Sequence, residues 1–265
     1  MIPVVSPLIV PALAIGITLC YASVLDIRER RIPFRTWYPM LLVGLPAAAL
    51  FYLLLVSGGA VDAALYFGVL AILFSAMFYL FAYFHLFGGA DAWALIFISL
   101  CIPTFPFPPL LGIPPLAFFP FSVLINAMVL TLVTPLAILL MNLKLGNKAP
   151  FPYMFFGFPV DGDRIGESYG YVMEEIREED GRIQRRFIGI RESLGTMVRG
   201  KGRVYTLDIR RRPEEYVHER DLYRKAGKVW ISYGVPFIVP VTAGLLSALI
   251  FGDFIFGLLQ VFTGG

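Results

Sequence analysis

Six long apolar stretches constrain this chain more than any other feature of its sequence. Each is close to the roughly 20 residues that an α-helix needs to cross the hydrocarbon core of a bilayer. The stretches lie at about 7–25, 37–56, 63–84, 91–110, 116–142 and 231–251. Apolar residues make up 58% of the chain and charged residues 15%, a composition that soluble domains rarely have. The sequence therefore predicts an α-helical membrane protein with about six transmembrane helices.

The fourth stretch is the least regular of the six. It contains Pro103, Pro106, Pro108 and Pro109. Proline removes a backbone donor and ends or kinks a helix, so we expect the fourth helix to be short. The first stretch has no basic segment before it, so we expect a retained helix and not a cleaved secretory leader.

All 22 lysine and arginine residues lie in two segments of the chain. Four lie between residues 28 and 35, after the first stretch, and the other 18 lie between Lys144 and Lys228, after the fifth. Cytoplasmic loops near the ends of membrane spans are enriched in these residues. With six spans, both segments fall on one side of the membrane. The sequence therefore predicts a multi-pass protein of the cell membrane with both termini outside and both basic segments in the cytoplasm.

The second basic segment is long enough to form a soluble insert between the fifth and sixth helices. We expect three parts: residues 1–142 with five helices, a cytoplasmic insert over residues 143–230, and residues 231–265 with the last helix and a tail. The insert has 18 basic and 14 acidic residues, a net charge of +4 that is too small to indicate a nucleic-acid partner. Alternating side chains over residues 186–191 and 204–209 predict strands of a small antiparallel sheet.

Two aspartates, Asp26 and Asp91, stand at the edges of apolar stretches on the predicted cytoplasmic side. An ionisable side chain at such a place is costly, and membrane proteins that keep one usually use it. The other two acids of the membrane region, Asp62 and Asp253, fall on the opposite side. We interpret Asp62 as a helix cap and Asp253 as an interfacial anchor or turn residue.

Two carboxyl groups at one membrane depth fit peptide hydrolysis by an activated water. When two such groups share a site, like-charge repulsion favours the state in which one is protonated and the other ionised. One can then take a proton from water while the other polarises the peptide carbonyl, and neither aspartate is assigned a fixed role. Gly88, Gly89 and Ala90 precede Asp91 and would let a substrate backbone approach closely.

The motifs around these aspartates resemble those of the type IV prepilin peptidases and archaeal preflagellin peptidases, which are intramembrane aspartyl proteases of the GxGD type. The first motif is Asp-Ile-Arg-Glu-Arg-Arg-Ile-Pro at 26–33, and the second is Gly-Gly-Ala-Asp at 88–91. The resemblance implies that Asp26 and Asp91 are the catalytic pair. Pro236 and Phe237, in a segment similar to the last helix of archaeal members, are implied less specifically as substrate-binding residues.

Several positions depart from the family pattern. Ala90 replaces the second glycine of the GxGD element, while Phe34 and Trp93 stand where bacterial members often have asparagine and lysine. Bacterial members commonly have a four-cysteine zinc element and also methylate the new amino terminus. This chain has only two cysteines, Cys20 and Cys101, both inside apolar stretches. The resemblance is therefore to the archaeal type with peptidase activity alone, and we expect neither a metal nor a cofactor.

The resemblance also implies the partners, which are preflagellin or type IV pilin-like precursors with a short basic leader before an apolar helix, in addition to membrane lipid. The acidic run at 174–180 is a candidate for recognising such a leader, although a solvated face is the favoured interpretation. Two other functions stay open. One is a presenilin-like protease that cuts within transmembrane substrates, and the other is a proton-coupled transporter that uses the carboxylates as a relay.

Overall fold

The computed structural model describes residues 7–84, 87–179, 181–189, 192, 204–232, 234 and 237–263. The chain forms two compact units, one of Met1–Leu132 with Pro236–Gly265 and the other of Val133–Val235. The division falls inside the fifth long helix, so the domain boundaries expected at residues 142 and 230 stay a prediction. Numbered along the whole chain, the described helices are α1 (Ile9–Glu29), α2 (Tyr38–Ser57), α3 (Val61–Tyr83), α4 (Gly89–Cys101), α5 (Phe119–Lys144), α6 (Tyr153–Phe156), α7 (Thr206–Arg211), α8 (Val217–Ala226), α9 (Ile238–Ile250) and α10 (Phe254–Thr263).

The long helices confirm the prediction of an α-helical membrane protein. Among the described residues, four helices are long and apolar enough to cross a bilayer: α1, α2 with the short turn before it, α3 and α5. Helices α9 and α10 pass the same test as a pair that bends by 47°. The bend lies at Gly252, which has a φ of +94°. The side chain of Asn126 holds this bend, because its amide nitrogen donates to the Gly252 carbonyl at 2.8 Å and its oxygen accepts from the Phe254 N–H at 2.9 Å.

The fourth predicted span forms a helix of 13 residues, α4. A helix of this length extends about 20 Å, whereas the hydrocarbon core is about 30 Å thick. The helix ends directly before the proline-rich segment, as expected from the missing backbone donors. Further along that segment, Leu110 and Leu111 donate backbone hydrogen bonds of 3.0 and 2.9 Å to Ile250 and Phe251 at the end of α9. The expectation of a short fourth helix is confirmed.

A cluster of aromatic rings joins the turn after α1 to α4. The ring of Phe34 lies edge-on to Trp93, with a centroid distance of 5.4 Å, and Trp93 stacks on Phe97 at 5.2 Å. Trp37, which is buried, meets Phe97 at 6.1 Å. Aromatic pairs in these arrangements stabilise a contact beyond the area that they bury. The cluster holds the segment that follows Asp26 against the helix that begins near Asp91.

The second unit contains the predicted β-structure. Among its described residues, β1 (Gly157–Asp161) pairs with β4 (Lys228–Ser232), and β2 (Glu174–Glu179) pairs with β3 (Arg182–Phe187). Both pairs are antiparallel, which confirms a small antiparallel β-region.

The strand predicted over residues 204–209 is wrong, because Thr206–Arg211 forms the helix α7. Thr206 and Ile209 are the buried residues of this helix, three positions apart as on one helical face. The Thr206 hydroxyl also donates to the Ser168 carbonyl at 2.6 Å and accepts from the Gly170 N–H at 3.0 Å. These contacts fix a short helix where a six-residue alternation indicates a strand. Of the other predicted strand, Arg186 and Phe187 lie in β3, and residues 190–191 lie outside the described residues.

The acidic run at 174–180 has partners within its own unit. The pairs are Glu174 with Arg185 at 2.8 Å, Glu175 with Arg186 at 2.8 Å, Glu178 with Lys225 at 2.7 Å and Glu179 with Gln184 at 2.9 Å. Guanidinium groups of Arg186 and Arg177 hold the pKa of Glu175 below its usual range. Asp180 lies outside the described residues. These pairs favour a structural role for the run over recognition of a basic leader.

Replacing Glu174 by glutamine is expected to destabilise the second unit. The Glu174 side chain is only 3% exposed, and one of its oxygens accepts from the Trp230 backbone N–H at 2.9 Å as well as from Arg185. Glutamine keeps the shape but removes the charge that compensates Arg185, so we expect a loss of about 2 kcal/mol in the free energy of unfolding. Hydrogen exchange of the β2 amides in the full-length protein measures this loss. Glu175→Gln, one residue along on the exposed face, is the matched control and is expected to change exchange little.

Candidate active site

Asp26 lies in the last turn of α1, and its side chain is partly buried. The helix ends at Arg30, which has left-handed backbone angles (φ 52°, ψ 29°) and donates its N–H to the Asp26 carbonyl at 3.2 Å. Such angles are uncommon outside glycine and are found where surrounding structure imposes them. The Arg30 guanidinium acts electrostatically on the Asp26 carboxylate. Arg30 of the first motif therefore terminates α1 and places a cation near its aspartate.

Asp91 lies in the first turn of α4, directly after the Gly-Gly-Ala segment. Gly88 is the N-cap residue of this helix, with extended backbone angles (φ −62°, ψ 135°). The Asp91 side chain folds back over Gly88, since a Cβ built on that glycine would lie 3.2 Å from the Asp91 Cγ and closer still to Oδ2. A negative charge in the first turn of a helix is favourable, because the backbone N–H groups there point toward it.

The structure brings the two aspartates together. The carboxyl groups of Asp26 and Asp91 lie close enough to interact electrostatically, although the two residues are far apart in the sequence. The two helices that carry these aspartates also pack into one apolar core, to which Ala22 of α1 and Ala92 of α4 both belong. This arrangement places two acids at one site on the edge of the apolar helices, as a shared-proton mechanism requires. Their catalytic role stays a prediction at this point.

The three small residues before Asp91 differ in their surroundings. Gly88 and Gly89 are both exposed, but only Gly88 is pressed against Asp91, because a Cβ on Gly89 would meet no heavy atom of the described residues within 4 Å. Ala90 is partly buried and packs against the core of the first unit. The open space at Gly89 fits the expected approach of a substrate backbone. The presence of glycine at position 88 is better explained by the Asp91 carboxyl group, which occupies the space that a side chain at this position would need.

The predicted substrate residues of the last helix are only partly described. Pro236 lies outside the described residues. Phe237 precedes α9, and its ring meets Phe87 edge-on at a centroid distance of 5.0 Å. Since Phe87 precedes Gly88, this contact joins the start of α9 to the turn that leads to Asp91. The substrate-binding role of Phe237 stays a prediction.

Sequence reasoning missed one residue that contacts Asp26 and two more that join the same pair of helices. The backbone N–H of Ile238 donates a hydrogen bond to the Asp26 carboxylate, and the hydroxyls of Ser23 and Thr242 lie 2.8 Å apart between α1 and α9. The spacing of Ser23, three residues before Asp26, is a signal that could have marked it as lying on the same helical face. A backbone donor such as Ile238 has no side-chain signature.

The other two membrane-region acids have structural surroundings. An oxygen of Asp253, which is buried, accepts from the Phe256 N–H at 2.9 Å and so caps the start of α10, which agrees with its interpretation as a turn residue. Asp62 does not cap α3, because Ala60 occupies the N-cap position and Asp62 lies within the first turn. Its charge still complements the start of that helix. Within the described residues, no three His, Cys, Asp or Glu side chains are grouped as metal ligands.

A family model described as the type IV leader peptidase family matches residues 13–146, which is 134 of the 265 residues and includes both aspartates. The chain belongs to the type IV leader peptidase family. A second model, described as the archaeal peptidase A24 C-terminus type II, matches residues 149–254. A search of curated proteins returned no match.

Membership of the leader peptidase family makes this chain a peptidase and a multi-pass membrane protein, in agreement with its apolar helices. The second match covers most of the insert and all of α9, and its description names an archaeal C-terminus of the same peptidase class. Two departures from the bacterial pattern meet in this leader peptidase, since Phe34 and Trp93 contact each other directly. An aromatic pair thus joins the residue that follows the first motif to the first turns of α4.

Proposed function

We propose that this leader peptidase is an aspartic-type endopeptidase that removes the short basic leader from archaeal preflagellins or type IV pilin-like precursors. The observation that carries the proposal is the meeting of Asp26 and Asp91 at one edge of the helical unit, in a chain of this family. We further propose that this edge faces the cytoplasm, because the arginines at 28–35 adjoin Asp26 and such residues are retained on the inner side. A basic leader would stay on that side for the same reason.

The reaction needs only water and the two carboxyl groups. The ionised aspartate accepts a proton from a water molecule, whose oxygen attacks the carbonyl carbon of the scissile peptide bond. The protonated aspartate donates its proton to the carbonyl oxygen, which yields a neutral tetrahedral diol. When the C–N bond breaks, the departing nitrogen takes a proton from the acid formed in the first step, and the other carboxylate recovers the proton of a diol hydroxyl. Each turnover thus consumes one water and restores one shared proton.

The substrate backbone is expected to pass Gly89. This residue is exposed, and among the described residues nothing lies within 4 Å of the place where its Cβ would be, so an extended strand can come close without meeting a side chain. Ala90 is turned toward the core and leaves that approach clear. The apolar helix of the precursor would remain beside the membrane helices while its leader lies in water.

A two-sided vesicle assay tests the proposal. Inside-out and right-side-out vesicles that contain the protein receive a water-soluble peptide with a short basic leader and the first residues of an apolar helix. We expect the inside-out vesicles to release the leader, which mass spectrometry detects, and the sealed right-side-out vesicles to leave the peptide intact. Vesicles without the protein are the control. Release only by right-side-out vesicles would contradict the orientation, and release by neither kind would contradict the function.

A further inference from the structure

The carboxylate of Asp26 has a partner on a second helix. The backbone N–H of Ile238 donates to it, and Ile238 is the first residue of α9. The first N–H groups of a helix have no acceptor within the helix, so a carboxylate that accepts from one of them supplies a hydrogen bond that would otherwise be missing. Asp26 itself lies in the last turn of α1, where the helix dipole opposes a negative charge. The start of α9 offsets this unfavourable interaction, because the N-terminal end of a helix dipole is positive and attracts the carboxylate.

About one helical turn deeper, the same two helices meet again through hydroxyl groups. The Ser23 and Thr242 oxygens are 2.8 Å apart, and both side chains are buried. The Thr242 hydroxyl is also 2.8 Å from the Ile238 carbonyl and 3.2 Å from the Leu19 carbonyl. Ser23 lies three residues before Asp26, and Thr242 lies four residues after Ile238. The two contacts are therefore successive links on facing sides of α1 and α9.

The far side of α9 leaves little room for this helix to move. Gly244 faces the backbone of α5, where a Cβ would lie 2.6 Å from the Val123 carbonyl oxygen and 2.8 Å from the Ala127 nitrogen. Small residues allow membrane helices to approach at backbone distance, and such contacts fix their positions. Helix α9 is thus held between α1 and α5, with its first N–H directed at Asp26.

We propose that the first turn of α9 is a positioning element for the reaction, and that Ser23 and Thr242 are positioning residues that keep the Ile238 N–H on the Asp26 carboxylate. The proposal rests on the function proposed above, since it assigns these residues a part in the same site. A carboxylate held by a fixed donor keeps one orientation toward water and substrate. Without the hydroxyl link, the first turn of α9, which lies before the contact at Gly244, can shift along α1, and the carboxylate loses that orientation.

The first test is the pair Thr242→Val and Thr242→Ser in the full-length protein. Valine keeps the branched shape and removes the hydroxyl, whereas serine keeps the hydroxyl. We expect Thr242→Val to lower kcat for leader release by about tenfold with KM nearly unchanged, because small misplacement of a catalytic group affects the chemical step. Thr242→Ser is expected to stay near the wild-type rate. Equal kcat values for the valine variant and the wild type would overturn the proposal.

The matched control is Ser247→Ala, on the same helix. Ser247 also joins α9 to another helix through a hydrogen bond, which it accepts from Asn126 at 3.1 Å, but it lies at the other end of α9. We expect its kcat to remain near the wild-type value. An equal fall in kcat for Ser247→Ala and Thr242→Val would show a general loss of packing and overturn the positioning role.

Hydrogen exchange of the Ile238 amide gives a readout that does not depend on activity. We expect this amide to exchange faster in Thr242→Val and in Ser23→Ala, and unchanged exchange in both variants would overturn the proposal. Because exchange is measured without substrate, this result is separate from the proposed function. Full activity of Asp26→Asn would instead remove the function, whatever the exchange of Ile238.

Discussion

Asp26→Asn and Asp91→Asn are each expected to lower kcat for leader cleavage by roughly 10³-fold, the size of effect that a positioned acid or base supplies. Asparagine has the shape of aspartate but can neither take a proton from water nor donate one to the carbonyl oxygen. The two side chains share one site, so the loss of either one breaks the cycle of proton transfers that they carry out together. Single-turnover rates of leader release from reconstituted protein measure the effect. Asp253→Asn is the matched control, because asparagine can also cap α10 and that residue lies at the bend after α9.

The double variant sharpens this expectation. Catalytic groups that act as a unit are strongly non-additive, so Asp26→Asn with Asp91→Asn should be about as slow as either single variant. Rates that multiply in the double variant would indicate two independent contributions and contradict a shared mechanism. Comparable thermal unfolding of the wild type and the variants shows that the losses do not come from misfolding.

Gly88→Ala is expected to lower kcat by about 100-fold, since a misplacement of about 1 Å at a catalytic group has effects of this size. The new Cβ would overlap the Asp91 carboxyl group, which has to leave its present rotamer. Backbone strain adds little, because Gly88 has extended angles that alanine adopts readily. The measurement is again the single-turnover rate of leader release.

Gly89→Ala is the matched control for this position. Its Cβ would meet no heavy atom of the described residues within 4 Å, and alanine is a good helix former at the start of α4. We therefore expect the free enzyme to fold normally, KM to rise because the new methyl group narrows the approach of the substrate, and kcat to fall far less than in Gly88→Ala. Equal losses in kcat would mean that both glycines act through the substrate and would contradict a specific role of Gly88 in placing Asp91.

Much of the membrane unit could be predicted from the sequence, because runs of apolar residues have few alternatives in a bilayer. The short α4 followed from Pro103 and the prolines after it, since each removes a donor that lipid cannot replace. The prediction of a strand over 204–209 was wrong because contacts with distant parts of the chain decide the structure there. Six residues of alternating polarity fit a strand, but Thr206 contacts Ser168 and Gly170, which are distant in the sequence. These contacts favour a helix.

Some residues of the candidate site could likewise be predicted from the sequence, and others could not. Asp26 and Asp91 could be found because a carboxylate beside an apolar run is unusual and because short motifs flank both. The contribution of α9 could not, since Ile238 acts through its backbone N–H and any residue except proline could supply that donor. The distinct surroundings of Gly88 and Gly89 also depend on the direction of the Asp91 side chain, which the motif alone does not specify.

The most direct measurement maps the bond that the reconstituted protein cuts in a full-length precursor with a short basic leader. The wild type is compared with Asp26→Asn and Asp91→Asn, and the products are identified by mass spectrometry. We predict one cut at the junction of leader and apolar helix by the wild type, with that cut nearly absent in both variants. A cut inside the apolar helix, or full cleavage by either variant, would contradict leader removal by this pair of aspartates.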